Sequence, residues 1–346
     1  MTAVEQRPLS PPGSPGAAPG AATSQVAALV AGLAGLVVVA LLSMAVGSHA
    51  VAPGEVVRAL VAYDGSSDQM IVRDVRVPRA LLAIGVGAAL GVAGVLVQAL
   101  SRNPLADPGI LGVTAGAGFA MTLGAALGIA TSPGAELVMT TAGAVLATVL
   151  VSSVGRTSPL RLVLTGVALT AVLKGVSLGM RLMLPDVFDK YRFWTVGSLA
   201  GREQIPMAAP LVTIGLALVA ALLLGRSLNA VALGESVART LGTNVTRVRF
   251  AALALITILS GAATAVAGPI MFVGLIVPHV ARVLARSSVP WLTVYAAILG
   301  PILLLVADAV SRVLLPTGEM PVAVVTAFLG GPVLIWAVRR YGAGTL

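Results

Sequence analysis

The sequence has 346 residues, of which 58% are apolar and only 10% charged, with a formal net charge of +9. A soluble domain usually carries about 25% charged residues, so a chain this poor in charge cannot cover itself with a watery surface and needs lipid. It has no cysteine and only two histidines, His49 and His279, which excludes a disulfide framework, a thiol nucleophile and a Cys-ligated zinc site and argues against a histidine metal cluster.

The stretch Pro8–Gly20 reads PLSPPGSPGAAPG. It has no helical period and cannot bury a core, so residues 1–24 are expected to form a disordered tail. The apolar run that follows exceeds the core of a secretory signal, about 7–15 residues, and is expected to stay as a first span. A hydrocarbon core of about 30 Å needs about 20 apolar helical residues. Ten runs qualify or nearly do: Val26–Val46, Ala80–Leu100, Ile110–Ala130, Leu137–Val154, Leu162–Met183, Ile205–Leu224, Phe250–Gly268, Pro269–Leu284, Val289–Val310 and Met320–Val338. The expected fold is therefore all-α, with about ten membrane helices over residues 25–341. The eighth run is short and reads as a partial or broken helix.

An even number of spans puts both termini on one side. With the termini inside, the inner loops carry twelve basic residues against three acids, and the outer loops nine against nine. The excess agrees with the positive-inside rule. Basic charge spread over many short loops is topology; a nucleic-acid binder would gather it in one module.

Several segments between the runs are informative. Gly85, Gly87, Gly91 and Gly94 on the second span suit close helix packing. Asn103-Pro104-Leu105-Ala106-Asp107-Pro108-Gly109 stops one helix and starts the next. In the inner loop 230–249, Leu233, Val237 and Leu241 share a helical face at i, i+4 and i+8. Gly242 suits a C′ position and Asn244 an N-cap. The unit reads helix, glycine, helix, and fits either a membrane surface or a partner's groove. Tyr191, Phe193 and Trp194 near a span end read as an interfacial aromatic belt. Arg76, Arg79 and Arg312 lie at outer span ends, as snorkelling anchors or as partners for acids on another protein. Arg312 also follows Asp308 by four residues, the favourable order for a helical ion pair. Lys174 sits mid-span, where a cation must face water, a path or a partner.

The segments fall into a known order. Arg76-Val-Pro-Arg79 is followed by Asn103–Val113, Leu164-Thr-Gly-Val-Ala-Leu169 and Trp194-Thr-Val-Gly-Ser-Leu-Ala-Gly201. Then come Leu233-Gly-Glu-Ser-Val-Ala-Arg-Thr-Leu-Gly242, the run Gly268–His279 that ends in Pro278-His279, and Glu319-Met-Pro-Val-Ala-Val-Val-Thr326. Together they resemble the FecCD/BtuC-type permeases of ATP-binding-cassette (ABC) importers, which carry iron–siderophore complexes, cobalamin or heme.

The resemblance implies a bacterial inner-membrane permease with both termini cytoplasmic. Its partners would be a second permease copy or a related permease, two cytoplasmic ATPase subunits and an extracytoplasmic substrate-binding protein. ATP and magnesium would belong to the ATPase; the permease has no catalytic residue, metal or cofactor of its own. Leu233, Gly234, Glu235, Ala238, Arg239, Leu241, Gly242 and Asn244 would couple to the ATPase. Arg76 and Arg312 would pair with acids on the binding protein. Asn103, Pro104, Leu105, Pro108, Gly109, Pro278 and His279 would be motif positions, and the fifth span, which carries Lys174, would line the path. Ferric siderophores lead as cargo, with cobalamin and heme as alternatives. An ion-coupled secondary transporter is a reading of another class; it would need intramembrane acids, and only Asp308 qualifies.

Overall fold

The computed structural model describes residues 20–155, 159–202, 206–285, 288–315 and 318–341. The proline-rich stretch before Gly20, Arg156 and Arg286 of the basic loops, and the side chain of Phe193 lie outside the described residues. All regular structure among the described residues is helical.

Helix α1 (Gly20–Ala45) is followed by a short amphipathic α2 (Pro53–Val61) and a single turn, α3 (Ser67–Met70). That turn runs through a wider π-helical stretch, Ile71–Arg76, into α4 (Val77–Ser101). Pro78 falls just past this wider stretch, and because the helix runs on through it, its missing N–H leaves a carbonyl of the preceding turn without a helical donor. Left-handed Arg102 ends α4. A 3-10 turn, Pro108–Leu111, and Gly112 at φ 75° then lead into α5 (Val113–Ala126). Next come α6 (Pro133–Gly155), α7 (Pro159–Met183), α8 (Pro185–Thr195) and α9 (Ala208–Ala232). The chain closes with α10 (Glu235–Thr240), α11 (Val245–Ala267), α12 (Val273–Ala285), α13 (Val289–Val313) and α14 (Val322–Tyr341).

Each of the ten expected spans has a helix. Among the described residues, seven helices are long and apolar enough to cross a bilayer: α1, α4 with its lead-in, α6, α7, α9, α11 and α13. The apolar parts of α5, α12 and α14 are shorter. The expected third span, Ile110–Ala130, narrows to α5 because Gly112 turns the chain at φ 75° before it and Gly128 at φ 67° after it. The eighth also loses its first residues: Gly268 and Phe272 both have positive φ, and helix begins only at Val273. Thirteen residues of α12 rise only about 20 Å, and Val273–Pro278 are buried. This is a short helix packed inside the bundle.

The bundle is organised around α4, which is buried along most of its length and packs against α9, α11, α12 and α13. Two close approaches set its geometry. A Cβ on Gly87 would lie 2.5 Å from the carbonyl oxygen of Gly300 on α13, next to Pro301. A Cβ on Gly94 would run into the backbone of Gly274 on α12. Without a hydrophobic force between helices in lipid, such backbone contact is what holds them. Helices α5, α6 and α7 form a second group, with α8 across the end of α5 and α7. Helix α1 lies against α13 and leaves Val26, Val30, Leu33, Val37 and Val38 exposed, a face suited to lipid.

Candidate functional site

Three places carry chemistry. At the end of the bundle bearing α2, Arg79, Asp308, Arg312 and Glu319 form one ion network. Arg79 Nε and Nη2 lie 2.9 Å from Asp308 Oδ1, and Arg79 Nη1 lies 2.7 Å from Glu319 Oε2. Arg312 Nη2 lies 3.0 Å from Asp308 Oδ2. The expected local pair Asp308–Arg312 is therefore present as part of a larger set. Arg312 Nη1 also donates to the Val46 carbonyl at 2.9 Å. Arg76 Nη1 donates to the Met44 carbonyl at 2.6 Å, and its Nη2 to the carbonyl of His49. The last carbonyls of a helix have no partner within it and carry partial negative charge. Arg76 and Arg312 supply that partner at the end of α1. Their side chains are only 6% and 5% exposed. Pairing with acids on another protein would require both to leave these partners.

The opposite end carries the short helix α10. Gly234 at φ 130° starts it and Gly242 at φ 74° ends it. Asn244 then caps α11, its Oδ1 accepting from the Arg247 N–H at 3.0 Å. The helix–glycine–helix unit read from the sequence is thus present. Ala238 is fully buried, while Leu233 and Leu241 are 66% and 65% exposed and Val237 is half-exposed. Glu235 pairs with Arg249 and, at 3.6 Å, with exposed Arg239. The apolar edge points away from the chain's own core.

The motif around Asn103 lies at the same end. Asn103 Oδ1 accepts from the Leu105 N–H at 2.8 Å, and Asp107 Oδ1 from the Gly109 N–H at 2.8 Å. These side-chain turns bend the chain through Pro104 and Pro108. Burial pushes the Asp107 carboxyl above the usual carboxylate range. Gln98 ties this loop to α12, donating to the Ala106 and Gly274 carbonyls at 3.3 Å and accepting from Arg282 Nη2 at 2.5 Å. Arg102 Nη2 donates to the Val231 carbonyl at 3.0 Å, which links the loop to the start of the α10 unit. Pro278 is buried within α12, and His279 meets Trp336 of α14 edge-on at 5.5 Å.

The third place is a cavity of about 650 Å³ among α5, α7, α8 and α14. Lys174, Ser177, Thr114, Tyr191, Trp194 and Phe328 line it. Lys174 is exposed and has no ion pair or hydrogen bond among the described residues. A cation left in hydrocarbon costs about 3 kcal/mol or more, so its place on a cavity wall is the accommodating one. Trp194 corrects the aromatic-belt reading. It is only 4% exposed, its ring packs beside Tyr191 at 5.9 Å, and it abuts Gly118 of α5. It faces the protein, not the membrane interface. Residues 268–272 wrap back against Trp194 and Gly197, so the aromatics become a wall of the cavity.

Residues 35–340 match the FecCD transport family. The chain belongs to this family. It is a membrane-spanning permease of the ABC-importer type. Among FecCD relatives, the ferric enterobactin transport system permease protein FepD of Escherichia coli (strain K12) is 45% identical over 314 residues, covering 89% of this chain and 94% of that protein. The probable siderophore transport system permease protein YfiZ of Bacillus subtilis (strain 168) is 37% identical over 291 residues, 83% of this chain and 87% of that one. The hemin transport system permease protein HmuU of Yersinia pestis is 37% identical over 276 residues, 77% of this chain and 82% of that one. A solved metal-chelate type ABC transporter in an inward-facing conformation superposes with a TM-score of 0.81 at 28% identity, covering 91% of this chain and 99% of that chain.

Within this FecCD chain, the sequence missed the central part of Arg79. Arg79 and Glu319 both stood inside recognisable segments, but nothing local pairs residues 240 positions apart. The orphaned indole of Trp194 also had no sequence signal: its Nε1 is buried without a hydrogen-bond partner.

Proposed function

We propose that this permease moves ferric siderophore complexes into the bacterial cytoplasm, driven by two ATPase subunits that meet its α10 end. The observation that carries the coupling is the exposed row Leu233, Val237 and Leu241 above a buried Ala238. An apolar helical edge flanked by charge fits a groove on a partner. Gly234, Glu235, Arg239, Gly242 and Asn244 hold that edge in place. The cargo reading is supported by the siderophore permeases FepD and YfiZ, which match this chain over most of their length.

In this arrangement both termini and α10 face the cytoplasm, in keeping with the excess of basic residues in the loops on that side. The α2 end faces outward and receives the binding protein. Arg76 and Arg312 serve it from within, by fixing the corner where α1 turns into α2. A second permease, identical or related, completes the path, with α7 and Lys174 among its lining. ATP and magnesium act in the ATPase partners. Heme is the competing cargo, favoured by the likeness to HmuU.

Uptake of radiolabelled ferric siderophores, cobalamin and heme in a deletion strain tests the cargo. Ferric siderophore uptake should disappear and return with the gene. Loss of heme or cobalamin uptake with siderophore uptake intact would overturn the reading.

A further inference from the structure

We propose that Lys174 sets the charge of the cargo, so that the route past α7 favours an anionic iron(III) chelate over a neutral or cationic one. This rests on the reading of the chain as an importer of ferric chelates.

Among the described residues, Lys174 is the only charged side chain lining the cavity of about 650 Å³. Among the described residues, no carboxylate lines it from α5, α8, α14 or the segment around Pro269 and Met271. The next cation along α7 is Arg181, whose guanidinium lies 3.9 Å over the ring of Tyr191. Tyr191 is itself a wall of the cavity, so that second positive charge stands against one of its aromatic residues. Arg181 is also held in place, its Nε donating to the Ser177 carbonyl at 3.0 Å.

The depth of Lys174 matters. It lies nine residues before the end of α7 at Met183, roughly 14 Å along the helix axis. That is deeper than a four-carbon stem can climb to the interface. Among the described residues its charge has no ion pair, and a cleft with low-dielectric walls concentrates ions of the opposite sign. The cavity wall also carries neutral donors. Hydroxyls of Thr114 and Ser177 line it. Among the described residues, one cation, neutral hydroxyl donors and no acid form a lining suited to an oxygen-rich anion.

Iron(III) chelates offer a clean comparison. A ferric tris-catecholate is a trianion, whereas a ferric tris-hydroxamate is neutral. An electrostatic lining accelerates the first and leaves the second unaffected.

The test uses the complete importer, with binding protein and ATPases, in proteoliposomes, and compares radiolabelled ferric tris-catecholate with ferric tris-hydroxamate. Uptake is normalised to assembled complex for wild type, Lys174→Met, Lys174→Glu and Lys174→Arg. Wild type should take up the anionic chelate. Lys174→Met should lower that uptake about tenfold, Lys174→Glu should abolish it, and Lys174→Arg should restore most of it. Any uptake of the neutral chelate should stay constant across the set. Unchanged anionic uptake in Lys174→Met and Lys174→Glu would overturn the proposal. So would a wild type that carries only the neutral chelate, or a Lys174→Arg variant as impaired as Lys174→Met. A wild type that carries neither ferric chelate would instead remove the underlying cargo reading.

Discussion

Arg79 on α4 and Asp308 on α13, 229 residues apart in the sequence, face each other as a buried ion pair at 2.9 Å. Asp308 also holds Arg312 at 3.0 Å, so one carboxylate stands between two buried guanidinium groups. Removing it leaves Arg312 without its carboxylate and Arg79 with Glu319 alone. Asp308→Ala should destabilise the permease by about 3–5 kcal/mol, the usual cost of breaking a buried pair from one side. Thermal unfolding in detergent measures this. A double-mutant cycle with Arg79→Met should return a coupling of about 1–3 kcal/mol; additive losses would show that the pair is not a unit.

The burial of Arg76 and Arg312 separates two roles that charge reversal alone would confuse. Arg76→Gln shortens the side chain and leaves the Met44 and His49 carbonyls without their donor. It should lower the stability of the isolated permease, with no binding protein present, by about 1–3 kcal/mol. If stability holds while binding-protein affinity drops, these arginines are contacts and not clips.

The exposed edge of α10 gives the opposite pattern. Leu233→Ser combined with Leu241→Ser removes apolar area that the chain itself does not bury. Stability should change by less than about 0.5 kcal/mol. ATP-driven uptake should fall at least about tenfold, since a loss near 1.4 kcal/mol in ATPase docking is enough for that. Copurification with the ATPase should fall in parallel. Full uptake in this double variant would refute α10 as the coupling element.

Glycine substitutions probe the axis of the bundle. In Gly87→Ala, the new methyl would meet the Gly300 carbonyl at 2.5 Å and Pro301 N at 2.7 Å. Backbone cannot yield as a side-chain tip can, so α4 and α13 must separate, at a cost of about 1–3 kcal/mol or more. Gly215→Ala on α9 meets nothing within 4 Å and should be neutral or stabilising by up to about 1 kcal/mol. Paired melting curves decide this.

Asp107 predicts a pH dependence. Its folded pKa lies above the ordinary 3.8 because burial opposes the charge. The folded state therefore binds the proton more tightly than the unfolded state. Its contribution is fully present below pH 3.8 and is lost as pH rises to the folded value. Asp107→Asn keeps an acceptor for the Gly109 N–H and should flatten that fall. Melting temperatures of the two proteins across mildly acidic to neutral pH give the comparison; parallel curves would assign the dependence to other groups.

Much of this was legible where the code is local. Hydropathy located the ten long or apolar helices of the bundle, and the weak eighth run is indeed a short internal helix. Gly242 and Asn244 announced the ends of α10 and α11 because capping is a one-residue decision. The pair Asp308–Arg312 followed from a four-residue spacing. What escaped was either too short or too distant. Helix α2 buries only Val56 and Ala59 on one side of nine residues, and a window of membrane width passes over it. Trp194 looked like an interfacial anchor because aromatics near a span end usually are; residues 268–272, more than seventy positions later, turn it inward. Arg79 gave no sign of its two acids, which arrive on later segments of the chain.

That arrival order has a consequence for biogenesis. Among the described spans, α1 is synthesised first. Its fastenings come late: Tyr295 donates to the Gln25 carbonyl across 270 residues, and Arg312 to the Val46 carbonyl across 266. Until α13 emerges, α1 is held at its far end by Arg76 but lacks the neighbour along its length. A ribosome stalled before α13 would leave α1 free to drift from its siblings and open to quality-control proteases. The earliest of the described spans is thus among the last to be fully secured.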